Sequence, residues 1–129
     1  MVAMNTVCKK GFTLIEMLVV MAIIGTLLAL VAPRYFKSME HARETALKHD
    51  LAVTREAIGR FYSDLNHYPQ SLDELVQRRY LKTIPIDPIT GSSETWIITQ
   101  PPDQAQSGVY DISSGAEGVA SDGTEFKSW

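Results

Sequence analysis

At 129 residues, with 12 lysines and arginines against 15 acids and a formal charge of −3, the chain has room for one small domain and lacks the basic excess with which proteins grip nucleic acid. Its single cysteine, Cys8, rules out an intramolecular disulfide, so packing or a metal must stabilise the fold. No phosphate-binding glycine loop or zinc spacing is present, His41, His49 and His67 are scattered, and the Ser and Asp residues near the C-terminus have no histidine beside them; this is not the pattern of an enzyme.

Residues 9–32 read KKGFTLIEMLVVMAIIGTLLALVA. The stretch 12–32 is about 21 residues, roughly 30 Å as a helix, which suits one bilayer crossing. Lys9 and Lys10 precede it, so the positive-inside rule leaves that end in the cytoplasm and sends the remainder outward. An ordinary secretory signal has a shorter apolar region, ends at a small-residue cut site and is removed whole; here the small residue, Gly11, stands before the run. Cys8 also precedes the run, which does not suit a lipoprotein, whose lipidated cysteine follows it.

One carboxylate, Glu16, interrupts the apolar stretch. An ionised acid near the bilayer centre costs roughly 2.5–3.5 kcal/mol, so Glu16 either snorkels to the interface or has a cation beside it. A cut after Gly11 would supply one: Phe12 becomes the N-terminus, and its ammonium faces the acid from the same helix or from a neighbouring subunit.

Further along, Pro33 closes the apolar run, where it is expected to kink the helix without ending it. Leu47, Leu51, Ile58, Phe61 and Leu65 then share one stripe, the spacing of an amphipathic helix whose other faces are charged. Glu44 with Lys48, and Glu56 with Arg60, stand in the favoured i,i+4 order and are expected to pair on the solvated side. One helix over residues 12–66 is predicted, stopping at Asn66, Tyr68 and Pro69. Ser71 and Glu74 have capping-box spacing before a short second helix. Residues 80–89, with Pro85 and Pro88, read as extended, and 87–91 as a turn. Residues 95–99 and 109–113 are β-prone and could form a hairpin across a polar loop. The glycine-rich, acidic tail ends on Trp129, an aromatic able to pin it to the rest.

The segment KKGFTLIEMLVV resembles the class III signal peptide of type IV pilins and type II secretion pseudopilins. The likeness continues through Tyr68-Pro69, Tyr80-Leu81-Lys82, Ile84-Pro85, Asp87-Pro88, Tyr110-Asp111-Ile112, the Ser114-Gly115-Ala116 turn and Trp129, where it is nearest to the major pseudopilins. The resemblance implies an α+β, type IV pilin-like fold: a long N-terminal helix, half membrane and half amphipathic, packed on a small antiparallel β-sheet head. It implies a prepilin leader over residues 1–11, a transmembrane and assembly helix over 12–33, and a periplasmic head over 34–129. Cleavage between Gly11 and Phe12, methylation of the new amine, and a role for Glu16 in assembly follow from the matched positions. Removing Lys9 and Lys10 with the leader takes the formal charge from −3 to −5 before the new amine is counted.

The implied function is structural: a subunit of the inner membrane, with its N-terminus cytoplasmic, that polymerises into the periplasmic pseudopilus of type II secretion. The implied partners are copies of itself, other pseudopilins, the prepilin peptidase and methylase, and the inner-membrane assembly platform. A type IV pilus subunit, major or minor, and a monomeric membrane-tethered binding module are the alternatives. No cofactor is required, although major pseudopilins commonly hold calcium at a Ser-Gly-Ala-Asp-Gly turn. Residues 114–118 read Ser-Gly-Ala-Glu-Gly here, and the loop 119–124 is short. Glu117 and Asp122 are the side chains expected to bind any such ion, with carbonyls and water completing its six to eight oxygens.

Overall fold

The computed structural model describes residues 10–129. Of the expected leader, therefore, only Lys10 and Gly11 are described; Cys8 and Lys9 lie outside the described residues. Two compact units divide the chain, one reaching to Lys37 and the other Ser38–Trp129. Helix α1, Leu14–Leu65, is 52 residues long and runs through both.

In the first unit α1 is apolar from Met17 to Ala32 save for Thr26, and Ile15, Leu18, Met21, Leu28 and Leu30 are all exposed. This part is long and apolar enough to cross a membrane, and none of it is buried. The Thr26 hydroxyl donates to the Ala22 carbonyl at 2.8 Å, which satisfies it within the helix. Pro33 lies inside α1, removing one backbone donor without ending the helix.

In the second unit one stripe of α1 carries the core. Leu47, Leu51, Ile58 and Phe61 are buried against Leu75, Val109 and Ile112, with Trp96 and Phe126 closing the margins. Burying each large apolar side chain stabilises the fold by about 1.5–3 kcal/mol before entropy is counted. Asn66 ends the helix at φ 59°, and its N–H donates to the Tyr62 carbonyl at 2.8 Å. The short helix α2, Leu72–Gln77, starts where expected: Ser71 Oγ accepts from Glu74 N at 3.3 Å, while Glu74 Oε2 accepts from Gln70 N at 2.7 Å.

Strands β1, Ile97–Thr99, and β2, Asp111–Ser113, form the antiparallel pair, with Ile98 opposite Ile112. Both are shorter than the β-prone stretches because flanking residues have other partners. The Trp96 indole donates to the Pro85 carbonyl at 2.9 Å, and Val109 N donates to Pro69 O at 2.7 Å. A Cβ on Gly115 would lie 2.0 Å from the Thr95 carbonyl, so only glycine lets the chain leave β2 beside β1. The fold is thus α+β, a long N-terminal helix packed on a small two-stranded sheet.

Two expectations change. Residues 80–89 are not simply extended: Tyr80 N and Leu81 N both turn back to the Leu75 carbonyl, and buried Asp87 organises the turn that follows. Of the two i,i+4 pairs, Glu56–Arg60 forms, but Glu44 does not pair with Lys48. Glu44 sits one step before Leu47 on the buried stripe and faces the C-terminal loop, and Lys48 lies over the Trp129 ring, 4.5 Å from its centroid.

Candidate functional site: the helix start and the C-terminal loop

Gly11 and Phe12 precede α1 in neither helix nor strand, and both are exposed. A side chain placed on Gly11 would meet nothing within 4 Å, and Phe12 is 79% exposed. Glu16 lies in the first turn of α1. Its N–H donates to Thr13 Oγ1 at 3.2 Å and its Oε2 accepts from Thr13 N at 3.3 Å. These reciprocal bonds are those of a capping box, satisfying two of the donors that a helix start leaves unpaired and placing a negative charge at the positive end of the helix dipole. Sequence reasoning sought a cation for Glu16 and passed over Thr13, although residues 13–16 carry the same spacing it recognised at Ser71 and Glu74.

At the other end of the chain, Val119 and Glu125 form a single antiparallel bridge around a tight loop. Asp122 Oδ1 accepts from Thr124 N at 3.0 Å and from Thr124 Oγ1 at 2.6 Å, which holds its carboxyl below the usual value. Glu117 instead lines a shallow depression with Glu125 and Lys127. Among the described residues no three Asp, Glu, His or Cys side chains come together as a metal-binding group.

What fastens this loop is a residue the sequence reading placed among solvated charges. Glu44 Oε1 accepts from Ser121 N at 2.7 Å and Glu44 Oε2 from Ser121 Oγ at 2.6 Å. Those bonds, the hydroxyl first, hold the Glu44 carboxyl below its ordinary value against the opposing effect of burial. Arg55 makes a second tie, from Nε to Asp111 Oδ1 at 2.7 Å and from Nη2 to the backbone oxygens of Ile112 at 2.9 Å and Trp129 at 2.7 Å. Trp129 packs edge-on against Phe126 and donates its indole N–H to Thr124 Oγ1 at 2.6 Å, and with its ring under Lys48 and against the core the terminal aromatic does pin the tail. Asp87, legible in the sequence only as part of a turn, makes a further tie: Oδ1 accepts from Ile89 N and Thr90 N, and Oδ2 from the buried Ser114 hydroxyl.

The histidines do not form a site: His41 and His49 are exposed on α1, and His67 stacks edge-on against Phe61.

A long, lipid-length helix with an acid at its start and a small α+β head defines the class of pilin-like, N-terminally processed proteins, and a family model described as the prokaryotic N-terminal methylation motif matches residues 7–32. The chain is 28% identical to the type II secretion system core protein G of Escherichia coli K12 over 94% of its own length and 91% of the relative's. It is 34% identical to the core protein G of Pseudomonas aeruginosa PAO1 over 62% of its length and 68% of the relative's. A type IV major pilin of Myxococcus xanthus is 33% identical over 52% of this chain and 30% of the pilin. No solved structure matches. The chain belongs to the type II secretion system core protein G family.

Proposed function

We propose that this chain is a structural subunit cut after Gly11, methylated on the new Phe12 amine, and polymerised through residues 12–33 into the periplasmic pseudopilus of a type II secretion system. It has no catalytic role. Before assembly it stands in the inner membrane with its N-terminus in the cytoplasm and the head, from residue 34, in the periplasm. Its partners are further copies of itself, other pseudopilins, the prepilin peptidase that also methylates, and the assembly platform of the inner membrane.

The observation that carries this reading is the first unit of the structure: an apolar helix exposed on every side, opened by a carboxylate, and preceded by an exposed Gly11-Phe12 step. Lipid covers such a surface before assembly, and neighbouring helices cover it afterwards. Transfer from one apolar surrounding to the other is nearly balanced, which favours reversible assembly. Glu16 is already capped by Thr13, and cleavage places a second donor, the Phe12 amine, next to that box. A carboxylate in an apolar core favours the one register that supplies its partner.

A type IV pilus is the competing reading. The core protein G relative in E. coli aligns over nearly the whole of both chains, whereas the M. xanthus pilin aligns over 30% of its own length, and this contrast favours secretion. A tethered monomer leaves the acid and the Gly-Phe step without a purpose.

Intact mass of the membrane-extracted protein, from cells with and without the prepilin peptidase, tests the processing step. The expected product starts at Phe12 with one added methyl and appears only when the peptidase is present; an uncut chain, or one cut after the apolar run, overturns the reading. Glu16→Ala is expected to insert and be cleaved while filament yield falls at least several-fold, and normal yield would refute the pairing role.

A further inference from the structure

The short C-terminal loop is where the resemblance leads one to expect calcium, and several of the carbonyls such an ion would use already accept hydrogen bonds within the loop. The Ala120 carbonyl accepts from Gly123 N at 3.0 Å and the Thr124 carbonyl from Ala120 N at 2.7 Å. The Gly118 carbonyl accepts from Phe126 N, and that of Glu125 from Ser128 N and Oγ. Asp122 is turned onto Thr124, and Glu117 lies in a depression it shares with Lys127. The Lys48 ammonium stands over the Trp129 ring, 4.5 Å from its centroid. Calcium requires six to eight oxygens at about 2.3–2.6 Å, and among the described residues no three carboxylates converge to begin such a set. The residues present do not fit it.

The loop nevertheless has an anchor. Glu44 is 9% exposed, on the face of α1 turned toward residues 119–126, and both of its oxygens are used on Ser121. A carboxylate accepting one N–H and one O–H in this forked manner fixes the loop tip to the helix through charge-assisted bonds. Lys48, one turn further along α1, holds the far side of the loop through Trp129 and Thr124.

We propose that Glu44 does in this chain what a metal ion would otherwise do: its carboxylate clasps residues 119–125 onto α1, and the head holds its C-terminal loop without calcium. The ligand recognised by Glu44 is internal, the amide and hydroxyl of Ser121.

Thermal melts of the full-length, detergent-extracted protein, followed by tryptophan fluorescence, test this. Wild-type protein is expected to melt at the same temperature with excess calcium chloride and with EGTA. Glu44→Gln keeps the shape and removes the charge, and is expected to lower the midpoint by about 4–8 °C in both media. The Ser121→Ala loss should be smaller and should largely vanish in the Glu44→Gln background, since the two groups act as one pair. A wild-type midpoint that falls in EGTA and returns with calcium overturns the proposal, as does a Glu44→Gln protein that melts like wild type. Should Glu44→Gln not accumulate, Ser121→Ala decides: a lowered midpoint supports the clasp and an unchanged one overturns it.

Discussion

Glu44 shows how one side chain changes meaning with its surroundings. In the sequence it stands four positions before Lys48 and looks like half of a surface ion pair, which is worth a few tenths of a kcal/mol in a helix. In the structure it extends the buried stripe one step before Leu47, and its charge is satisfied by Ser121, 77 positions away. Stripe spacing is the available signal, since positions 44, 47, 51, 54, 57, 58 and 61 are the buried ones. A polar residue on such a stripe says that a donor must arrive from elsewhere, but only tertiary structure names the donor. An acid-lability prediction follows. The Glu44 carboxyl is held below its ordinary value chiefly by the Ser121 hydroxyl and then the Ser121 amide, helped by the charge of His41 and opposed by burial and Asp122; Glu40 and Arg43 line the same groove. Its stabilisation is therefore complete above the unfolded carboxyl's ordinary value of about 4.3 and is lost as pH falls through the lower folded value. Melting temperature recorded from neutral pH down to about pH 3 should fall more steeply below that value for wild type than for Glu44→Gln.

Elements with strong local signals were legible, and those held by distant partners were not. The amphipathic stripe, the Asn66 stop, the Ser71 cap and the pairing of residues 95–99 with 109–113 all rest on spacing or on residues close in sequence, and each has its counterpart here. The prolyl segment was read only as extended because its organiser works across the chain. Asp87 is fully buried and serves Ile89, Thr90 and Ser114. Its position before Pro88 suggested a turn but gave no hint of Ser114. Asp87→Ala leaves two amides and a buried hydroxyl without acceptors, and is expected to cost roughly 2–3 kcal/mol, read as a shift in the urea midpoint at unchanged slope. Asp87→Asn keeps one carbonyl oxygen and should lose less. Tyr80 offers a milder case: its hydroxyl donates to Asp64 Oδ2 at 2.7 Å, which raises the phenol above its usual value. The helix start is the exception: the Thr13–Glu16 box is local, three residues apart, and its signal is masked by the apolar setting of the acid.

The chain divides into two units, of which the second has a core. Among the described residues every large buried side chain belongs to Ser38–Trp129, while the part up to Lys37 presents its apolar residues outward. A fragment beginning at Ser38 is therefore expected to fold alone, to stay soluble without detergent, and to melt cooperatively; circular dichroism and size-exclusion chromatography check this, and an aggregated or unfolded fragment would contradict it. Within that unit the ties to α1 are distributed along it: Ser121 on Glu44, the β2 and C-terminal oxygens on Arg55, Tyr80 on Asp64. From Glu44 to Asp64 the helix rises about 30 Å. Tension applied along α1 from its N-terminal end would load all of these ties together, in shear, and would not peel them one after another. A head mounted in this way moves as one body with residues 44–64 of its helix, because no single tie carries the attachment.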